Sequence, residues 1–182
     1  MFLENVYGAL FYPSETFERL KQNTNLIISL AIVIAISIIS PLLNVANLNA
    51  WSFFNIISAA FSGIIKWAFF AFFIEMIASI FKRGGRLEVF LTLSAFALLP
   101  WIFMGPISLF KTGGLVAGIL GVLAGFGVWI WATVLTLYAV IKAYDLSSER
   151  ILLFIFVPLL GSLIFFDWIV GFFQTLARIV MV

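Results

Sequence analysis

Residues 56–86 read IISAAFSGIIKWAFFAFFIEMIASIFKRGGR, and this stretch decides the fold. Its first part, 56–81, is longer than the roughly 20 apolar residues a helix needs to cross a ~30 Å hydrocarbon layer. It stops at a basic cluster, Lys82, Arg83 and Arg86. An apolar run of this length closed by cations reads as a membrane-spanning helix whose basic end stays on the cytoplasmic side. Working outward, comparable runs occur at about 24–43, 88–110, 115–141 and 151–177. The expected fold is therefore all-α: a polytopic membrane protein of five transmembrane helices with an N-terminal amphipathic cytoplasmic arm over residues 1–22. The loops are too short to fold alone, so residues 1–182 are expected to form a single membrane domain.

Composition excludes most other classes. Hydrophobic residues make up 64% of the 182 residues and charged residues 10%, which leaves too little polar surface for a soluble globule to present to water. There is no Cys and no His, which removes disulfides, thiolate chemistry and the commonest metal ligand and general base. No metal, no cofactor and no enzymatic activity are expected. The net charge of +2 comes mostly from residues flanking the spans, so it gives no footprint for nucleic acid.

Those flanking residues draw a topology, because Lys and Arg in short loops resist translocation. Arg19 and Lys21 precede span one; Lys82, Arg83 and Arg86 separate spans two and three; Lys142 and Arg150 separate spans four and five. The opposite ends carry only Lys111 and Arg178. The N-terminus is expected in the cytoplasm and the C-terminus outside, with the first span as its own insertion signal and no cleaved signal peptide.

In the arm, Phe2, Leu3, Val6, Tyr7, Leu10 and Phe11 recur at helical spacing, Pro13 interrupts, and Ser14 is placed to cap a second short helix carrying Phe17 and Leu20. Charged residues fall between these apolar positions, as in a helix lying at a membrane surface or packed on the bundle.

Span two carries Lys66 and Glu75 inside its apolar run, where an unpaired charge costs ~2.5 kcal/mol or more. Nine positions put them on opposite faces, roughly 13 Å apart along the axis. Measured by helix rise, Lys66 and Asp167 of span five both fall near mid-bilayer, which makes them the expected buried ionisable pair; snorkelling of Lys66 to the outer headgroups is the alternative. Glu75 is expected as a buried acid near the cytoplasmic end, within reach of Lys142, Arg86 or a basic group of the arm.

Pro100 and Pro158 are the expected helix kinks, near Phe96 and Phe154, because each removes a donor and crowds the carbonyl four residues earlier. In span four, Gly114, Gly118, Gly121 and Gly125 form a stripe of small residues suited to close helix packing, either within the chain or in a homo-oligomer. Lys82, Arg83 and Arg86 are the expected cytoplasmic contact loop.

Three groups of residues carry a family resemblance: Pro13 with Phe17 and Leu20; Gly84-Gly85 followed by Phe90 and the pair Leu99-Pro100; and Trp131, Tyr138, Leu146 and Ser147. Together they resemble the Ypt-interacting-protein (Yip/Yif) family in its short bacterial branch, over most of the chain. The resemblance implies five spans, a cytoplasmic N-terminus and residence in a bacterial plasma (inner) membrane. Eukaryotic members associate with prenylated small GTPases, and some bacterial relatives look like accessory subunits of ABC-type transporters. The longer hydrophilic N-terminal region of the eukaryotic members is missing here, and the family supplies no catalytic residues. The expected function is a non-enzymatic membrane scaffold or accessory protein acting in the bilayer through a membrane protein partner, an ABC-type exporter subunit ahead of a small GTPase. The alternative is a small transporter, channel or lipid-moving protein with a polar midplane path through Lys66, Glu75 and Asp167.

Overall fold

A computed structural model of the chain describes residues 2–43, 50–108, 110 and 114–146, and its principal elements are all helical. They are α1 (Phe2–Phe11), α2 (Pro13–Gln22), α3 (Leu26–Leu43), α4 (Ala50–Ile80), α5 (Leu87–Ala97), α6 (Met104–Ser108) and α7 (Gly114–Tyr144), with a 3-10 segment at Leu99–Phe103. Among the described residues, four segments are long and apolar enough to cross a membrane: Leu26–Leu43, Ser52–Ile80, Leu87–Ser108 and Val116–Tyr144. The fifth expected span, with Pro158 and Asp167, lies outside the described residues.

The ends of these helices differ from the sequence reading for physical reasons. α4 begins at Ala50 and α7 continues to Tyr144, beyond the apolar runs that marked them. Isolated polar residues such as Ser52 and Asn55 leave a helix intact, because its backbone groups satisfy one another within the segment. Pro13 itself occupies the first helical position of α2, where a missing N–H is harmless. Tyr12 is the N-cap and makes no side-chain cap hydrogen bond, so the expected Ser14 cap is corrected: Ser14 already lies inside the helix. Asn25 does cap: its Oδ1 accepts the Ile28 N–H at 3.0 Å at the start of α3.

α1 and α2 fold back on each other as a helical hairpin. Gly8 and Ala9 of α1 meet the α2 face formed by Thr16, Phe17 and Leu20, all buried. A Cβ on Gly8 would fall 2.3 Å from Thr16 Oγ1, so only glycine permits this approach. The hairpin rests on α5 and α7.

α5 is the centre of the described bundle. It packs on α3, α4, α7 and both arm helices, and every residue from Thr92 to Ala97 is buried, as expected of a helix that is apolar all round. Trp67 of α4 fits between Val33 and Ala95, and its Nε1 donates to Ser94 Oγ at 3.0 Å. After Ala97 the backbone winds into 3-10 geometry, with the Trp101 N–H donating to Leu98 O at 3.0 Å; Pro100 opens this segment, because its ring cannot continue the α-helical ladder.

Packing is graded along the bundle. From Ser52 to Lys66 no α4 residue is buried, whereas Trp67, Ala71, Ile74, Ile77 and Ala78 are. In α7, Gly121 is buried in the first half, and Val128, Ala132, Leu135, Ala139, Val140, Ala143 and Tyr144 follow in the second. The dense half is the one that ends in Lys21, Arg83, Arg86 and Lys142.

Candidate functional site

The charged end is assembled from helix termini. α4 stops with Lys82 in the left-handed region (φ 58°) and the Arg83 N–H bonded to Ala78 O at 2.9 Å. α7 stops in the same way, with Asp145 left-handed (φ 49°) and the Leu146 N–H bonded to Ile141 O at 3.2 Å. Both are Schellman-type ends in which a charged residue takes the place usually held by glycine.

Asp145 is the hub. It accepts from Lys21 Nζ at 2.6 Å and from the Arg86 guanidinium. The same guanidinium reaches the Ala143 carbonyl at 3.2 Å, a cation on the exposed carbonyls at a helix C-terminus. Arg83 lies 3.5 Å from the Asp145 carbonyl. The Lys21 hydrogen bond first, then that of Arg86, holds the Asp145 carboxyl below the usual carboxylate range.

Two further links fasten the arm. Lys142 Nζ donates to Glu18 at 3.1 Å, and Arg19 donates to Glu4 at 3.0 Å and Asn5 at 2.8 Å, closing the hairpin. Thr24 Oγ1 donates to Glu88 at 2.6 Å, tying the start of α3 to the start of α5. The pairs Glu18 with Lys142 and Lys21 with Asp145 share one sequence offset, 124, so α2 runs parallel to the last turns of α7.

Glu75 sits under this layer, half-buried. Its Oε2 accepts the Tyr144 hydroxyl at 2.7 Å and its Oε1 accepts the Gly85 N–H. Gly85 has φ 88°, a conformation that turns this N–H inward and that side chains avoid. The partners anticipated for Glu75, namely Lys142, Arg86 or an arm cation, are bound elsewhere: Lys142 to Glu18 and Arg86 to Asp145. Tyr144 is fully buried, with its ring 5.7 Å from Phe90.

The remaining sequence candidates divide. Lys66 is exposed on α4, and Asp167 is outside the described residues. Gly121 faces Phe110 and Gly125 faces the Met104 side chain, while no described residue lies within 4 Å of a Cβ built on Gly118 or on Gly114, where φ is 84°. Half of the glycine stripe therefore receives the α6 segment. Arg83 and Arg86 turn onto the end of α7, and Lys82 is exposed beside them. Among the described residues, no three His, Cys, Asp or Glu side chains gather as a metal site.

Sequence reasoning did not single out Asp145, Tyr144 or Glu18. Their role depends on meetings between distant parts of the chain, which composition and local spacing do not encode. One signal was present: an acid three residues after Lys142 at the end of a span, where a stop residue such as Gly or Asn is commoner.

A family model described as the Yip1 domain matches residues 7–169. No curated protein and no solved structure matches the chain.

Proposed function

This chain belongs to the Yip1 domain family, and from that premise we propose that it is a non-enzymatic integral membrane scaffold that acts through protein partners at its charged, cytoplasm-facing end. The carrying observation is the interlocked layer around Asp145. It joins the arm, the 82–86 loop and the end of α7 into one surface. Gln22, Asn23 and Lys82 are exposed at this end. A fixed array of both charge signs suits recognition of a protein by complementary charge.

The partner is a membrane protein or a membrane-anchored one: an ABC-type transporter subunit, which is the occupant we favour, or a prenylated small GTPase. Removing residues 1–22 is a poor test, since it strips Phe17 and Leu20 from the core. The test is purification of the tagged full chain from its native membrane, beside the double variant Gln22→Glu, Lys82→Glu. Stoichiometric recovery of such a partner by the parent and its loss in the double variant, with insertion unchanged, is the expected result. Recovery of the chain alone, or equal recovery in both, overturns the reading.

A further inference from the structure

The two arm helices divide their side chains unevenly. The small residues of α1 face inward, while Leu3, Tyr7 and Phe11, spaced four apart on one face, are 77%, 58% and 56% exposed. Tyr12 at the tip is 59% exposed. Of the hairpin's polar groups, Glu4, Asn5, Glu18, Arg19 and Lys21 lie toward its open end, where Arg19 satisfies Glu4 and Asn5, while Ser14 and Glu15 are exposed within one turn of the tip. The tip, Phe11-Tyr12-Pro13, carries no charge.

The depth of that tip follows from the pairing with α7. Lys21 sits at the charged end with Asp145. α2 runs parallel to α7, so the start of α2 lies ~12 Å farther into the bundle by helix rise. Phe11 agrees with this placement: its ring is 6.0 Å from that of Trp131, which in turn stacks on Phe103 at 5.9 Å. Trp131 belongs to the membrane-crossing segment Val116–Tyr144 and is ~20 Å from its charged end by helix rise.

An exposed aromatic face at that depth meets hydrocarbon. A ten-residue helix reaches only about half of a ~30 Å layer. We propose that the α1–α2 hairpin is a re-entrant wedge set into one leaflet, with Tyr7 and Phe11 against acyl chains and Leu3, beside Glu4, at the Glu18, Arg19 and Lys21 level among headgroups. The wedge adds protein volume to that leaflet beyond what the spans themselves occupy. This goes beyond the partner surface described above and does not depend on it.

The chain contains no Cys, so single nitroxide labels can be placed without background. The probes are Leu3→Cys, Tyr7→Cys, Phe11→Cys and Gln22→Cys in the full chain, reconstituted into phosphatidylcholine vesicles. Collisional access is then measured for oxygen and for a water-soluble nickel chelate. The expected pattern is high oxygen access with nickel excluded at positions 7 and 11, and nickel access at position 22. Nickel access at 7 and 11 places the face in water and overturns the wedge. Low access to both quenchers there means the face is covered by protein, whether a second copy or residues 147–182, and overturns it equally. A Tyr7→Trp variant read by brominated-lipid quenching repeats the test without a label: strong quenching is expected, and its absence overturns the wedge as well.

Discussion

The Tyr144 hydroxyl donates to Glu75 Oε2 at 2.7 Å, joining the last residue of α7 to the penultimate turn of α4. This bond lies between a fully buried ring and a half-buried carboxylate. A hydrogen bond to a charged group contributes about 1.5–3 kcal/mol, so Tyr144→Phe is expected to lower stability by that amount in unfolding titrations in mild detergent. An unchanged midpoint would assign the contribution of Tyr144 to its ring packing on Phe90 alone.

Asp145 predicts a pH response. Its folded carboxyl titrates below its unfolded value, so its stabilising contribution is complete above the unfolded value, about 4, and disappears as pH falls through the folded one. The side chain is roughly half exposed, and screening limits the effect to about 1 kcal/mol or less. The parent is expected to lose more stability than Asp145→Asn between neutral pH and the acid range. Parallel curves for the two proteins would show that the carboxylate charge does not matter.

Gly8 is the tightest point of the hairpin. A methyl group there overlaps Thr16 Oγ1, so Gly8→Ala should destabilise by about 1–3 kcal/mol through forced displacement of a packed helix. The double variant Gly8→Ala, Thr16→Ala removes the obstructing hydroxyl and should recover part of the loss, as read by thermal unfolding.

Lys82 holds a left-handed conformation at the end of α4 (φ 58°). Glycine adopts it without steric cost, so Lys82→Gly is expected to be neutral or to raise stability by up to about 1 kcal/mol. A clear loss in the same assay would mean that the ammonium makes a stabilising interaction.

Among the described residues, Thr92 Oγ1 is buried without a hydrogen-bond partner. Replacing it with the near-isosteric Val removes a desolvated polar atom, and Thr92→Val should stabilise by about 1 kcal/mol. Destabilisation would reveal a partner for this hydroxyl.

The four described spans were legible because apolar length is a local property, and a lipid environment leaves a run such as 56–81 few alternatives to a helix. The break at Pro13 was legible for the same reason, since proline acts on its own backbone. Helix ends were read less well: Ala50 and Tyr144 extend past the apolar runs because hydropathy marks where lipid begins, not where hydrogen bonding stops. The charged end was legible as a group of cations but not as a site. That Arg86 turns to Asp145 and Glu75 to Tyr144 is decided by the meeting of α4, α5 and α7, and no spacing rule in one segment carries it. In α1 the pattern gave the apolar residues, while their exposure follows from Gly8 and Ala9 taking the inner face.

α4 and α7 each contain 31 residues, a length of ~46 Å by helix rise. Exposed apolar side chains run from Phe53 to Ile80 on α4 and from Val116 to Tyr138 on α7. A hydrocarbon layer of ~30 Å does not match such helices, and they must tilt, or thicken the lipid around them, at a modest cost for each ångström of mismatch. A thicker membrane relieves that cost. Bilayer thickness then sets how far α4 and α7 lean from the membrane normal, and a thinner layer makes them lean further.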